Sequence, residues 1–168
     1  MFLAALMQLM GHDKVEMDED ELSARARPWN SYHTAPTYLQ AIVTPTTTNE
    51  VAAVLKLCHQ HGVPVVAFGG GTSLEGQTLP DTRGKGCSLR PISLDMNRMK
   101  AVKQLNTQDL DVTVESGLGY LELNDWLASQ DTNLWFPLDP GPGASIGGTR
   151  DPHHFFACLI ILPHLTVS

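Results

Sequence analysis

The stretch VAFGGGTSLEG, Val66 to Gly76, constrains this chain more than any other. An apolar run stops at three consecutive glycines, Gly69, Gly70 and Gly71, and the hydroxyl residues Thr72 and Ser73 follow. Without a Cβ, such a turn can take positive φ, align several backbone amides and let another group approach the main chain. Glycines placed directly after a parallel strand are where α/β proteins present backbone N–H groups to a phosphate. A tight turn with no ligand is the plainer reading of the loop taken alone. The spacing is not G-x-x-x-x-G-K-[ST], since no Lys follows, and Leu74 breaks G-x-G-x-x-G, so neither nucleotide fingerprint applies.

The flanks supply the strand and helix that the loop needs. LQAIVT, from Leu39, reads as a strand ending at Pro45. TTTNEVAAVLKLCHQHG reads as a helix, with Thr47 as N-cap, Glu50 completing a capping box and Gly62 as a left-handed C-cap. Val51, Val54, Leu55 and Cys58 recur at helical spacing and predict one apolar face. VPVVAF, Val63 to Phe68, reads as a strand buried on both sides. Together these predict a right-handed parallel βαβ unit. Weaker strands are expected at Ile92–Leu94, Ala101–Leu105 and Asp111–Glu115. A second amphipathic helix is expected on Leu123, Trp126, Leu127 and Gln130. The Pro/Gly-rich loop WFPLDPGPGASIGG, Trp135 to Gly148, then offers a second wall of small residues. Two such walls suit an extended ligand such as a dinucleotide.

Before the first strand, Phe2 to Met10 predicts a short helix. The acidic run MDEDELSARA reads as a solvated helix start, since acids favour a helix N-terminus, or as a partner-binding tail. A formal net charge of −7 argues against a general nucleic-acid surface. Three cysteines, Cys58, Cys87 and Cys158, make no disulfide framework and suggest a reducing compartment. Cys58 is expected in the core. MFLAALMQLM lacks a basic signal-peptide start, and no Arg-rich transit peptide is visible. FFACLIIL, Phe155 to Leu162, is too short for a transmembrane segment, which needs about 20 residues. His153, His154, Cys158 and His164 fit no zinc spacing, so no metal site is expected. Asp95 and Asp139 have no visible partner and read as turn residues rather than catalytic bases.

The block AIVTPTTTNEVAAVLKLCHQHGVPVVAFGGGTSLEG closely resembles the start of the PCMH-type (vanillyl-alcohol-oxidase-type) FAD-binding domain. FGGGTSLEGQTLP, ISLDMNRM, DLDVTVESGLGYLELNDWL and FPLDPGPGASIGG resemble the FAD-linked D-lactate dehydrogenases that pass electrons to cytochrome c, and their glycolate oxidase subunit relatives. The resemblance implies an α+β fold, with a βαβ-containing subdomain and the start of a second. It divides the chain into an N-terminal helical and linker segment (1–35), a partial FAD-binding domain (36–148) and an unmatched tail (149–168), as in a truncated or mis-spliced product. It implies that Gly69, Gly70, Gly71, Thr72, Ser73 and Leu74 bind the FAD pyrophosphate. Pro137, Asp139, Pro140, Gly141, Ala144, Ser145, Gly147 and Gly148 would line the flavin and its diphosphate. No His stands in the glycine loop, so FAD is expected to be non-covalent. The implied activity is oxidation of a D-2-hydroxy acid, first of all D-lactate to pyruvate, with cytochrome c as acceptor and a mitochondrial location. D-2-hydroxyglutarate, glycolate or an alkyl-dihydroxyacetone phosphate are the alternative substrates, and a non-catalytic fragment is the rival of another class. No catalytic residue can be matched within the chain.

Overall fold

A computed structural model describes residues 1–27, 32, 39–74, 76–79, 89–138, 141–149 and 162–163. Among the described residues, four α-helices, α1 (Phe2–Met10), α2 (Glu19–Arg25), α3 (Thr48–His61) and α4 (Tyr120–Ala128), and one 3-10 turn (His12–Lys14) accompany eight short strands. These are β1 (Val15–Glu16), β2 (Ala41–Val43), β3 (Val65–Phe68), β4 (Ile92–Asp95), β5 (Val102–Asn106), β6 (Asp111–Val114), β7 (Leu134–Trp135) and β8 (Leu162–Pro163). The architecture is α+β, as expected.

The first lobe is a four-stranded sheet in the order β1-β2-β4-β3. β4 lies between β2 and β3 and runs parallel to both, so β2–α3–β3 is a parallel crossover that skips one strand position. This corrects two expectations. β3 is an edge strand, half-buried with Ala67 exposed, rather than a strand covered on both faces. β4, which reads as weak, is the central strand and is buried along its whole length. Its Ser93 and Asp95 interrupt the apolar pattern, yet both are buried.

The predicted α3 caps are present. Thr47 Oγ1 accepts from Glu50 N at 3.2 Å, and Gly62 adopts φ 64°, ψ 27°. The reciprocal half of the box is displaced by one residue, because Glu50 Oε2 accepts from the backbone N of Thr46 rather than of Thr47. Glu50 Oε1 is taken by Lys14 Nζ at 2.6 Å. The buried face of α3 is narrower than its spacing suggests. Val54 and Cys58 are buried, whereas Leu55 is 44% exposed.

Residues 1–27 of the expected N-terminal segment contribute to this lobe. Leu6 and Met10 of α1 and Val15 of β1 share one core cluster with Val43, Val54, Cys58, Ile92 and Leu94. β1 pairs antiparallel with β2. The acidic run is a helix start: Asp18 caps α2 by accepting from Asp20 N and Glu21 N at 3.0 and 3.2 Å.

The second lobe holds the β5–β6 antiparallel hairpin and α4 over a separate core of Val112, Leu118, Leu123, Leu127, Phe136 and Ile146. β7 pairs antiparallel with β8 from the tail. No helix among the described residues is long and apolar enough to cross a membrane.

Candidate functional site

The two glycine loops meet where the lobes meet. A cleft of about 920 Å³ is lined by Gly69, Gly70, Gly71, Thr72 and Ser73 from the first loop and by Ala144, Ser145, Gly147 and Gly148 from the second. This volume is near the upper end of the range, about 300–1,000 Å³, typical of small-molecule sites. The strand end supplies an apolar floor, with Val65, Val66, Leu94 and Met96.

The glycines are demanded first by the protein itself. A Cβ on Gly70 would lie 2.0 Å from Gly143 O, and one on Gly69 would lie 2.4 Å from Ser145 Oγ. What approaches the first loop so closely is therefore the second loop. Gly70 N donates to the Ser145 hydroxyl at 3.2 Å, which ties the two together. Gly71 has φ +66°, and a Cβ there would strike the Phe68 ring at 2.6 Å. The second loop is anchored in turn. Gly147 N donates to Ser116 O at 2.9 Å and Ile146 N to Leu118 O at 2.8 Å. A Cβ on Gly147 would lie 2.6 Å from Ser116 Cβ.

Of the residues expected at the site, Leu74, Pro137 and Gly141 are described but do not line the cleft. Leu74 lies past the turn and is 66% exposed. Asp139 and Pro140, like His153, His154, Cys158 and His164, lie outside the described residues. The structure adds Gln77, Thr78, Ser116 and Thr149 to the wall. Gln77 and Thr78 stand in the same sequence block as the loop, but their side chains carry no periodic signal. Ser116 is placed there by the β6–α4 connection, which only the fold reveals.

Asp95 keeps the expected turn role but does have partners. Its Oδ2 accepts from Arg25 Nη2 at 2.7 Å and its Oδ1 from Asn97 N at 2.9 Å. Its carboxylate is thus committed to structure rather than to proton transfer in the cleft. Cys58 is in the core, and burial pushes its thiol up to about 11. Among the described residues no group of three or more His, Cys, Asp or Glu side chains is arranged to hold a metal.

No Lys, Arg, His, Asp, Glu or Cys appears among the described lining residues. The donors available are backbone amides and Ser, Thr and Gln side chains. Such amides form concave sites for anions without a formal positive charge. That donor set, the apolar strand-end floor and the two-loop wall fit a dinucleotide bearing a pyrophosphate and a flat ring.

The comparisons agree with the chemistry. A family described as "FAD binding domain" matches residues 39–150. The mitochondrial D-lactate dehydrogenase [cytochrome] of Arabidopsis thaliana is 42% identical over 146 residues, covering 87% of this chain and 24% of that protein. The Saccharomyces cerevisiae D-lactate dehydrogenase [cytochrome] 1 is 44% identical over 122 residues, covering 71% of this chain and 20% of that one. A glycolate oxidase subunit of Escherichia coli is more distant, 30% identical over 151 residues, covering 86% and 28%. The chain thus spans about a quarter of the length of these curated relatives. Among solved structures, an alkyldihydroxyacetonephosphate synthase superposes with TM-score 0.73 at 20% identity, over 88% of this chain and 29% of that one. p-Cresol methylhydroxylase superposes with TM-score 0.63 at 21% identity, over 79% and 25%. The superpositions speak for the fold, and the sequence matches carry the lineage: the chain belongs to the PCMH-type FAD-binding domains, in the family of the FAD-linked D-lactate dehydrogenases.

Proposed function

We propose that this chain is the cofactor-holding part of an FAD-dependent oxidoreductase acting on a D-2-hydroxy acid, with D-lactate as substrate, pyruvate as product and cytochrome c as electron acceptor. The observation that carries the reading is the cleft between two interlocked glycine loops, inside a segment that matches the FAD-binding family. Gly69 to Ser73 would hold the pyrophosphate through backbone amides and hydroxyls. Ala144, Ser145, Gly147 and Gly148 would form the opposite wall, where small side chains leave room for a flat ring. When bound, the flavin supplies the electron-accepting chemistry. The protein residues bind it, orient it and keep water from one side of it. The names of the relatives support a mitochondrial location.

The absence of acidic, basic and thiol side chains from the described lining favours a division of labour. This surface binds the cofactor and contributes no general base. The cofactor reading is tested by titrating FAD into the purified protein and following flavin fluorescence. Saturable quenching is expected, and its absence would overturn the reading. The substrate reading is tested by anaerobic addition of D-lactate, L-lactate, glycolate or D-2-hydroxyglutarate to the flavin-loaded protein. Because the described lining contributes no general base, no bleaching by D-lactate is expected from this chain alone. Turnover with D-lactate would overturn the division of labour, and bleaching by another of these acids instead would reassign the substrate.

A further inference from the structure

The glycine loop is held from behind by a chain of contacts that begins outside the family match. Arg25, the last residue of α2, precedes the matched segment 39–150. Its guanidinium pairs with Asp95 Oδ2 at 2.7 Å, and its Cζ sits 3.7 Å from the centroid of the Phe68 ring. Asp95, the last residue of β4, is 6% exposed. Its other oxygen accepts from Asn97 N at 2.9 Å, closing an Asx turn. That turn aims the Asn97 side chain, whose Nδ2 donates to Gly69 O at 2.9 Å. Phe68 is fixed on its backbone as well, its carbonyl accepting from Met96 N at 2.9 Å. The Phe68 ring then lies directly against Gly71. Arg25 therefore reaches the loop by two routes, through Asp95 and Asn97 to the Gly69 carbonyl, and through the Phe68 ring to Gly71.

We infer that Arg25, Asp95 and Asn97 are positioning residues that hold the Gly69–Gly71 turn in its ligand-ready shape, so that α2 is a working part of the cofactor site although it touches no cleft. The guanidinium suits both demands at once. It is planar, it stacks on an aromatic face, and it donates a hydrogen bond to a buried carboxylate. Rigid elements thereby fix a loop whose glycines would otherwise leave it many conformations. The ligand half of the inference rests on the FAD reading, and the test separates the two.

The variants are Arg25→Met and Asn97→Ala. Lys14→Met is the control, since it breaks the ion pair between Lys14 and Glu50, neither of which lines the cleft. Backbone amide exchange is read first, in protein without FAD. Exchange at residues 70–72 should accelerate about tenfold or more in both variants, as expected for loss of a hydrogen bond in a charged network, while exchange in α4 stays at the wild-type rate. The FAD Kd should rise by a similar factor, about tenfold. Lys14→Met should leave both readouts unchanged even where it lowers the denaturation midpoint. Arg25→Lys should rescue only in part, because it restores charge without the stacking plane. If Arg25→Met does not fold, Asn97→Ala carries the test, since Asn97 is only partly buried. Wild-type exchange at the loop in Asn97→Ala would overturn the inference. Accelerated exchange in protein that never binds FAD would instead overturn the functional reading and leave the positioning role standing.

Discussion

A methyl group is the smallest addition Gly70 can receive, and the structure has no space for it. The clash is with the backbone oxygen of Gly143, 2.0 Å away, so neither loop can yield alone. Gly70→Ala is expected to cost about 1–3 kcal/mol of stability, as overpacking does, and to weaken FAD binding together with it. Gly141 is the internal comparison. It has φ +94°, and a Cβ there would meet nothing within 4 Å. Gly141→Ala should therefore cost only the backbone strain, roughly 1 kcal/mol, and spare the contact between the loops. Urea denaturation and flavin titration of both variants check this, and equal losses would show that loop-to-loop contact does not decide the effect. The run of three glycines is legible in the sequence as a demand for close approach. What makes the approach is not legible there, because Gly143 is far along the chain.

At the scale of elements, local chemistry reads well and distant partners read poorly. Thr47 and Gly62 mark the ends of α3 because capping is a property of adjacent residues. Thr47→Ala should cost about 1 kcal/mol, measured as a shift in the denaturation midpoint. β4 escapes a local reading because Asp95 looks wrong for a central strand, and the Arg25 that neutralises it is 70 residues away. β3 looks doubly covered because Val65 and Val66 are apolar, yet β3 is the edge strand and both residues are only half-buried beside the cleft. Lys14 is another distant partner. Its ammonium hydrogen-bonds Glu50, and with the Thr46 amide it lowers the Glu50 carboxyl to about 2 from an ordinary 4.5. A carboxyl whose folded value is depressed contributes stability that is fully present above its unfolded value and is lost as pH falls through the folded one. Stability should therefore decline between pH 4.5 and about 2, and Glu50→Gln should flatten that part of the profile. Denaturation midpoints of both proteins across this window, at low and high salt, provide the check. The effect should shrink with salt, because the pair is partly exposed.

At the scale of the whole molecule, the two lobes keep separate hydrophobic cores. One cluster gathers residues from α1 to β4, and the other gathers residues from β5 to Ile146. Between them some contacts are backbone against backbone, as where a Cβ on Gly117 would lie 2.0 Å from Met96 O. Such contacts fix geometry while burying little apolar surface, so they couple folding weakly. A ligand spanning the cleft touches both lobes and stabilises only the state in which both are folded. At a free concentration of 100 times its Kd it adds about 2.7 kcal/mol. Two probes can see the difference. Trp126 and Trp135 belong to the second lobe, whereas three of the four described helices belong to the first. In a Trp29→Phe variant, tryptophan fluorescence should thus follow the second lobe and far-ultraviolet circular dichroism mainly the first. Without FAD the two denaturation curves are expected to separate. With saturating FAD they should move to higher denaturant and merge, because the cleft then links the lobes into one cooperative unit. Coincident curves in the absence of FAD would mean that backbone contact alone couples the lobes, and a shift confined to one probe would mean that the ligand is held by one wall of the cleft.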